Sequence, residues 1–163
     1  MQNAASEIFD MLARAQLTSQ AIYIVAKLGI ADYLKDGAKS IEELAQETKT
    51  HPDSLYRLLR MLASIGIFSE TKEEGGGESK EEEEKQANQN IRRFQMTRMT
   101  SLLQSETKNS VRNFALMFGL ESFNKAIHDL SYSVQTGENS FKHANGMGIY
   151  EYFERKLLLQ THS

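Results

Sequence analysis

Residues 40–66 contain two helix signatures separated by a short turn, and this pattern constrains the fold more than any other feature. Ser40 and Glu43 have the spacing of a capping box, in which each side chain accepts a hydrogen bond from a free N–H at a helix start. Pro52, the only proline, suits the first turn of a second helix, which Gly66 is expected to end. The second helix repeats leucine at i, i+3, i+4 and i+7, at Leu55, Leu58, Leu59 and Leu62.

Two short extended segments follow this helix–turn–helix, with a highly charged region between them. Residues 67–70 and 94–97 are predicted strands, and a helix–turn–helix followed by a β-hairpin is a winged helix. Residues 70–85 contain eight glutamates and three lysines. Because such residues cannot pack, residues 72–91 are expected to form a disordered acidic loop at the wing tip. A hairpin tolerates such a long loop, because each doubling of loop length adds only about 0.6 kcal/mol to the entropic cost of closing the loop.

Helical apolar spacing extends to both sides of the winged helix. Residues 4–28 form the predicted first helix, which Gly29 ends. Its apolar side chains lie on more than one face, so a partner chain is expected to bury some of them; packing within a monomer is the alternative. The spacing beyond the wing predicts helices over residues 99–104, 111–118, 123–134 and 149–159.

The composition excludes several classes of protein. The chain has 163 residues and no cysteine, which excludes disulfides and thiolate metal sites. Its histidines lack the i, i+4 spacing of a helical zinc site. A net charge of −3 provides no basic field for nucleic acid. Without a signal sequence or an apolar run of about 18 residues, a cytoplasmic protein outside the membrane is expected.

The glycines do not form a cofactor-binding turn. A dinucleotide-type turn lies directly between a strand and a helix, so that the backbone can approach the cofactor. Residues 75–77 lie within the glutamate-rich region, and Gly146 and Gly148 follow a His-Ala-Asn segment with no strand before it. We therefore expect no catalytic, cofactor-binding or metal-binding residue in this chain.

Three segments resemble the N-terminal dimerisation domain of S-adenosylmethionine-dependent O-methyltransferases. The group contains plant caffeate-type enzymes, acetylserotonin methyltransferase and bacterial small-molecule homologues. The matching segments are SQAIYIVAKLGIADYL (19–34), SIEELAQETKTHPDSLYRLLRMLASIGIFSE (40–70) and YSVQTGENSFKHANGMGIYEYF (132–153). The resemblance implies a mainly α fold: a winged helix-turn-helix with a small β-hairpin wing and additional helices, assembled as an intertwined homodimer.

Two features depart from the family pattern. Ile127 stands where the family often has tryptophan, which would alter the shape of a pocket. The resemblance covers about residues 5–155, so a dimerisation domain is expected over residues 1–155. The last segment, residues 156–163 (KLLLQTHS), does not resemble the family's continuation and is expected to be a non-family tail.

The resemblance also implies two sets of functional residues. In the family, the first helix of each subunit packs on its partner, and later helices supply part of the pocket for the methyl acceptor. The pocket candidates are Met117, Phe118 and His143, with core or dimer packing as the alternative for Met117. The dimer-interface candidates are Ile8, Phe9, Leu12, Leu17, Ile22 and Tyr23.

The implied function is that of the dimerisation and substrate-lid domain of an O-methyltransferase that acts on a small molecule, truncated before its S-adenosylmethionine-binding domain. This chain alone is then expected to transfer no methyl group and to bind no cofactor, whereas the intact family uses S-adenosylmethionine. A separate methyltransferase catalytic subunit is a further possible partner.

The alternative function is a winged-helix transcriptional regulator that binds DNA. Its recognition helix would cover residues 52–65, with Tyr56, Arg57 and Arg60 facing outward. Phosphates would repel the acidic wing loop, which argues against nucleic acid as a partner. Three further arginines flank the wing, at Arg92, Arg93 and Arg98.

Overall fold

The computed structural model describes residues 3–72 and 92–160, without the side chains of Lys72 and residues 157–160. The predicted acidic loop therefore lies outside the described residues from position 73 onward. The chain divides into two compact units, residues 1–115 and 116–163, which are described separately. The described part is mainly helical with one small antiparallel sheet, so the predicted fold class is confirmed.

The first unit begins with the long helix α1 (Ala4–Leu28), followed by the single-turn helix α2 (Ile30–Tyr33). The Asn3 side chain caps α1 by accepting a hydrogen bond from the N–H of Ala5. Gly29 ends α1 in the left-handed region, with φ of 69°. The predicted glycine stop is confirmed, because a residue with a side chain adopts this conformation only with strain.

The helix–turn–helix consists of α3 (Ile41–Thr48) and α4 (Pro52–Ser64). The Ser40 hydroxyl accepts a hydrogen bond from the Glu43 N–H at 3.1 Å, and the Glu43 carboxylate accepts one from the Ser40 N–H at 2.6 Å. The predicted capping box is therefore confirmed. Helix α4 stops two residues before Gly66, which has φ of 82° and begins the turn into the sheet.

The sheet has three described strands: β1 (Lys39–Ser40), β2 (Phe68–Lys72) and β3 (Arg92–Met96). They pair antiparallel in the order β1-β3-β2, so the predicted hairpin is confirmed as β2–β3. The third strand, β1, was not predicted, because it has two residues and is too short for an alternating apolar pattern.

The core of the first unit lies where α1, α2, α3, α4 and the sheet meet. Its largest fully buried apolar side chains come from all of these elements except β1, which shows that the helix–turn–helix and the wing share one core. They are Val25, Ile30, Leu34, Leu44, Leu59, Leu62, Phe68 and Phe94.

Two short helices follow the sheet, α5 (Arg98–Ser101) and α6 (Arg112–Phe118). The predicted helix over residues 99–104 was too long. The chain turns back after α5, and the carbonyl of Leu102 accepts hydrogen bonds from the N–H of Val111 at 2.8 Å and from the Ser110 hydroxyl at 3.2 Å. These bonds satisfy the carbonyl that a longer helix would have used.

The second unit contains α7 (Glu121–His128), α8 (Leu130–Thr136), α9 (Ser140–Asn145) and α10 (Ile149–Gln160). The prediction of one helix over residues 123–134 was wrong, because the backbone leaves helical geometry at Asp129, with φ of −94° and ψ of 12°. The apolar spacing continues across this break, so periodicity alone does not reveal it. The predicted last helix, over residues 149–159, is confirmed.

Candidate functional site

The first half of α1 exposes large apolar side chains to solvent. Ile8, Phe9 and Leu12 are each more than 60 % exposed, and so are Met11, which the sequence prediction did not include, and Leu17, just past the middle of the helix. Such side chains, grouped on one helix, are typical of a surface that a partner covers.

The first half of α1 does not pack on the core of its own chain. The buried residues of α1 all lie in its second half, and they are Ala21, Val25 and Ala26, each 1 % exposed. Positions seven and eleven residues before Ala21 lie on the same side of the helix as Ala21, and they are Arg14 and Asp10, an i, i+4 ion pair at 3.9 Å. The first half thus has charged side chains on the side of Ala21, and its large apolar side chains remain exposed.

The other two interface candidates lie in the second half of α1. Ile22 is partly buried and packs against the core of its own chain. Tyr23 is also partly buried, and the Lys27 ammonium lies 5.7 Å from the centre of its ring. The structure therefore places these two nearer the core than Ile8, Phe9 and Leu12.

Part of the surface proposed for DNA recognition makes contacts within the protein, whereas Arg57 and Arg60 are exposed as predicted. Tyr56 does not face outward as predicted: its hydroxyl donates a hydrogen bond to Glu70 at 3.1 Å. The Arg92 guanidinium lies 4.9 Å from the centre of the Tyr56 ring and 3.3 Å from the same Glu70 oxygen. Arg93 is paired with Glu43 at 3.3 Å. Two of the wing arginines are thus neutralised by carboxylates.

The second unit is organised around a cluster of aromatic rings. The centre of the Phe123 ring lies 5.4 Å from that of Phe141, 6.1 Å from that of Phe153 and 6.3 Å from that of Phe118. Phe141 is buried, and Tyr152 packs on it at 5.7 Å. Aromatic pairs at these separations stabilise a small core beyond their buried area.

Two of the pocket candidates, Met117 and Phe118, are the last two residues of α6. Phe118 contacts the aromatic cluster through Phe123 and is 46 % exposed, and Met117 is partly buried. Phe118 therefore presents an aromatic surface that a ligand or another protein segment could cover.

The third pocket candidate, His143, belongs to a separate polar group. Its Nδ1 lies 2.6 Å from an Asp129 carboxylate oxygen, and its ring stacks on Tyr132 at 3.7 Å. The Tyr132 hydroxyl donates a hydrogen bond to Glu138, which raises the pKa of that tyrosine. The sequence prediction did not identify Asp129 and Tyr132 as partners of His143, because the break between α7 and α8 brings them there.

An open depression of about 350 Å³ lies beside His143. Lys125 lines it and is held by Glu121 at 2.8 Å, and this pair raises the pKa of the lysine and lowers that of the glutamate. His128, Asp129 and Ala144 complete the lining. Within residues 3–72 and 92–160, no group of three or more metal-ligating side chains is arranged to hold an ion.

No helix in the described part of the chain is long and apolar enough to cross a membrane.

Along the chain, a partly exposed first helix is followed by a winged helix and then by a second helical unit. Comparison with known protein families identifies the class of protein to which this order of elements belongs. The family model of the O-methyltransferase dimerisation domain matches residues 10–106. The chain belongs to this family.

Sequence and structural similarity to individual methyltransferases supports this assignment. The chain is 36 % identical to phenazine O-methyltransferase PhzM of Lysobacter antibioticus, over 92 % of this chain and 38 % of the relative. It is similar to the crystal structure of LaPhzM at 35 % identity, with a TM-score of 0.72 over 94 % of this chain and 40 % of that one. Human N-acetylserotonin methyltransferase, solved in complex with S-adenosylmethionine, shares the fold at 17 % identity and a TM-score of 0.72, over 93 % and 40 % of the two chains. The chain thus spans about two fifths of the length of these proteins.

Proposed function

We propose that this chain is the dimerisation and substrate-lid domain of an S-adenosylmethionine-dependent O-methyltransferase that acts on a small molecule, and that it forms a homodimer through α1. The family match and the methyltransferase relatives support the class of protein. The exposed apolar half of α1 is the observation that supports the mode of assembly.

The proposed interface is self-complementary. In a two-fold dimer each α1 meets surfaces of the other copy, so one apolar helix contributes to the interface twice. Obligate interfaces of this kind commonly bury more than about 2,000 Å² and resemble a divided core. The first unit offers exposed apolar side chains in addition to those of α1, and they include Met99, Leu102, Val111 and Phe114.

Light scattering coupled to size exclusion tests the homodimer with matched charge substitutions. Ile8→Asp and Phe9→Asp place a carboxylate within the proposed interface, where burying it unpaired is costly. Ser6→Asp is the control, because Ser6 is four residues before Asp10 and lies near the charged side of the helix. We expect the parent and Ser6→Asp to have twice the mass of the 18.5 kDa chain, and the other variants to dissociate or unfold. A parent mass near 18.5 kDa would contradict the proposal.

We also propose that S-adenosylmethionine binds the whole protein through a catalytic domain beyond these residues, or through a separate catalytic subunit. The chain matches about two fifths of each relative, and no strand followed by a glycine-rich turn was found in its sequence. Calorimetric titration of this chain with S-adenosylmethionine should give no heat of binding. Micromolar affinity for this chain alone would show that the cofactor site has been misplaced.

The family resemblance also implies a pocket for the methyl acceptor. We propose that Met117, Phe118 and His143 contribute to this pocket in the whole protein. We also propose that residues 1–155 form the dimerisation domain and that residues 156–163 lie outside the family pattern. The proposed compartment is the cytoplasm. Half-exposed Phe118 supports an apolar contact with an acceptor. His143, held by Asp129 and Tyr132, supports a positioned polar one.

The DNA-binding alternative is disfavoured by the family match and by the Glu70 and Glu43 ion pairs of the wing arginines. A gel-shift assay at low salt checks this directly. Tight binding that weakens steeply with salt would favour the regulator, because phosphate contacts release counterions.

A further inference from the structure

One Asn–Gly pair occurs in the sequence, Asn145–Gly146, at the end of α9. The Asn145 side-chain amide donates hydrogen bonds to the carbonyl of Ser122 at 3.0 Å and to that of Phe141 at 3.1 Å. Ser122 lies in the first turn of α7, so one amide group joins α9 to α7. Gly146 has a left-handed φ of 73°, and its N–H donates to the carbonyl of Lys142 at 2.9 Å.

We propose that Asn145 is a deamidation site which the folded second unit keeps unreactive, and that reaction there irreversibly breaks the contact between α7 and α9. In deamidation the Gly146 nitrogen loses its proton and attacks the Asn145 side-chain carbonyl carbon. A new C–N bond forms, the bond to the side-chain nitrogen breaks, and ammonia leaves. Solvent water then opens the cyclic imide to aspartate or isoaspartate, and nothing is oxidised or reduced.

The sequence favours this reaction, because glycine has no Cβ to hinder its own backbone nitrogen. The folded structure opposes it in three ways. Asn145 lies in a helix, its amide is held by two carbonyls, and the attacking nitrogen donates its own hydrogen bond. Reaction therefore requires the end of α9 to open, and the rate reports the population of that open state.

The product cannot restore the contact. A carboxylate has acceptors only, whereas the amide donated to both carbonyls. Closing α9 on α7 would place its oxygens against the carbonyl oxygens of Ser122 and Phe141, where acceptor faces acceptor and no hydrogen bond forms. Isoaspartate also lengthens the backbone by one carbon, so the turn at Gly146 cannot form as before.

Mass spectrometry of peptides from the full chain tests the protection. The chain is incubated at mildly alkaline pH in native buffer and in urea, and the peptide that contains residues 139–148 is followed over time. Deamidation of Asn145 should be slower in native buffer by about tenfold or more. Equal rates in the two conditions would overturn the protected site.

Two variants test the chemistry and its consequence. Gly146→Ala keeps the carboxamide but hinders the nitrogen, so deamidation in urea should slow; an unchanged rate would contradict attack by this nitrogen. Asn145→Asp imitates one product. In this variant the backbone amide hydrogens of α7 and α9 should exchange with solvent at least about tenfold faster than in the parent, while those of α3 and α4 should exchange at unchanged rates. Unchanged exchange in α7 and α9 would show that the amide does not hold the two helices together.

Discussion

Arg112 donates a hydrogen bond from its Nε to the carbonyl oxygen of Ala26 at 3.1 Å, and joins positions that lie 86 residues apart. Ala26 is in the last turn of α1, and its carbonyl also accepts a hydrogen bond from the N–H of Gly29 at 3.3 Å. The guanidinium therefore gives this carbonyl a second donor and places a positive charge at the negative end of the helix dipole.

Replacement of Arg112 by alanine should lower the free energy of unfolding by about 1–2 kcal/mol, because a charged donor to a helix terminus is lost. Arg112→Lys keeps the charge without the fixed donor geometry and should recover part of the loss. Urea denaturation of the three proteins measures the difference. If the alanine variant is as stable as the parent, solvent replaces the guanidinium at no cost.

The hydroxyl of buried Thr100 should contribute more to the free energy of unfolding than its methyl group does. It donates a hydrogen bond to the Ile67 carbonyl and accepts one from the Thr97 N–H. Thr100→Val leaves that N–H without its acceptor and should cost about 1–3 kcal/mol. Thr100→Ser keeps the hydroxyl, so it should cost less than valine in thermal or urea denaturation. A larger loss for serine would show that the methyl group dominates.

Stability in acid should depend on Glu43. The Ser40 backbone N–H, followed by the Ser40 hydroxyl and Arg93, lowers the pKa of Glu43 in the folded state. A carboxyl with a depressed folded pKa stabilises above its unfolded pKa, about 4.3, and loses that contribution as pH falls through the folded value.

Glu43→Gln tests this dependence, because glutamine still completes a capping box but does not titrate there. Unfolding free energies are compared at neutral pH and at about pH 3, below the ordinary glutamate pKa. The parent should lose more stability on acidification than the variant. Equal losses would mean that Glu43 does not contribute to the acid sensitivity.

Phe123 should be central to the stability of the second unit, since its ring contacts those of Phe118, Phe141 and Phe153. Phe123→Ala removes three aromatic contacts and should cost about 2–3 kcal/mol, somewhat below the range for a fully buried ring. Phe123→Leu retains most of the volume and should cost about half as much. Hydrogen exchange of α7 and α9 measures the loss where it occurs, with α4 as the unaffected reference.

The sequence by itself determined the features that depend on neighbours within about one helical turn. The Ser40–Glu43 capping box, the glycine stop at Gly29 and the start of α4 at Pro52 all occur where predicted. Each depends on local backbone geometry, so residue type and spacing are sufficient. The same holds for the type of the longer elements, because apolar periodicity selects helix or strand, whereas the two-residue β1 and the helix break at Asp129 were not predicted.

Tertiary structure decided the contacts that join distant segments. The His143–Asp129 pair needs the break between α7 and α8, and the Glu70–Arg92 pair needs the register of β2 on β3. Apolar spacing does not encode these, since a polar side chain finds its partner only once the chain has folded. The sequence predicted that α1 has apolar side chains on more than one face. Only the burial of Ala21, Val25 and Ala26 in the second half of α1 showed that the first half remains for a partner.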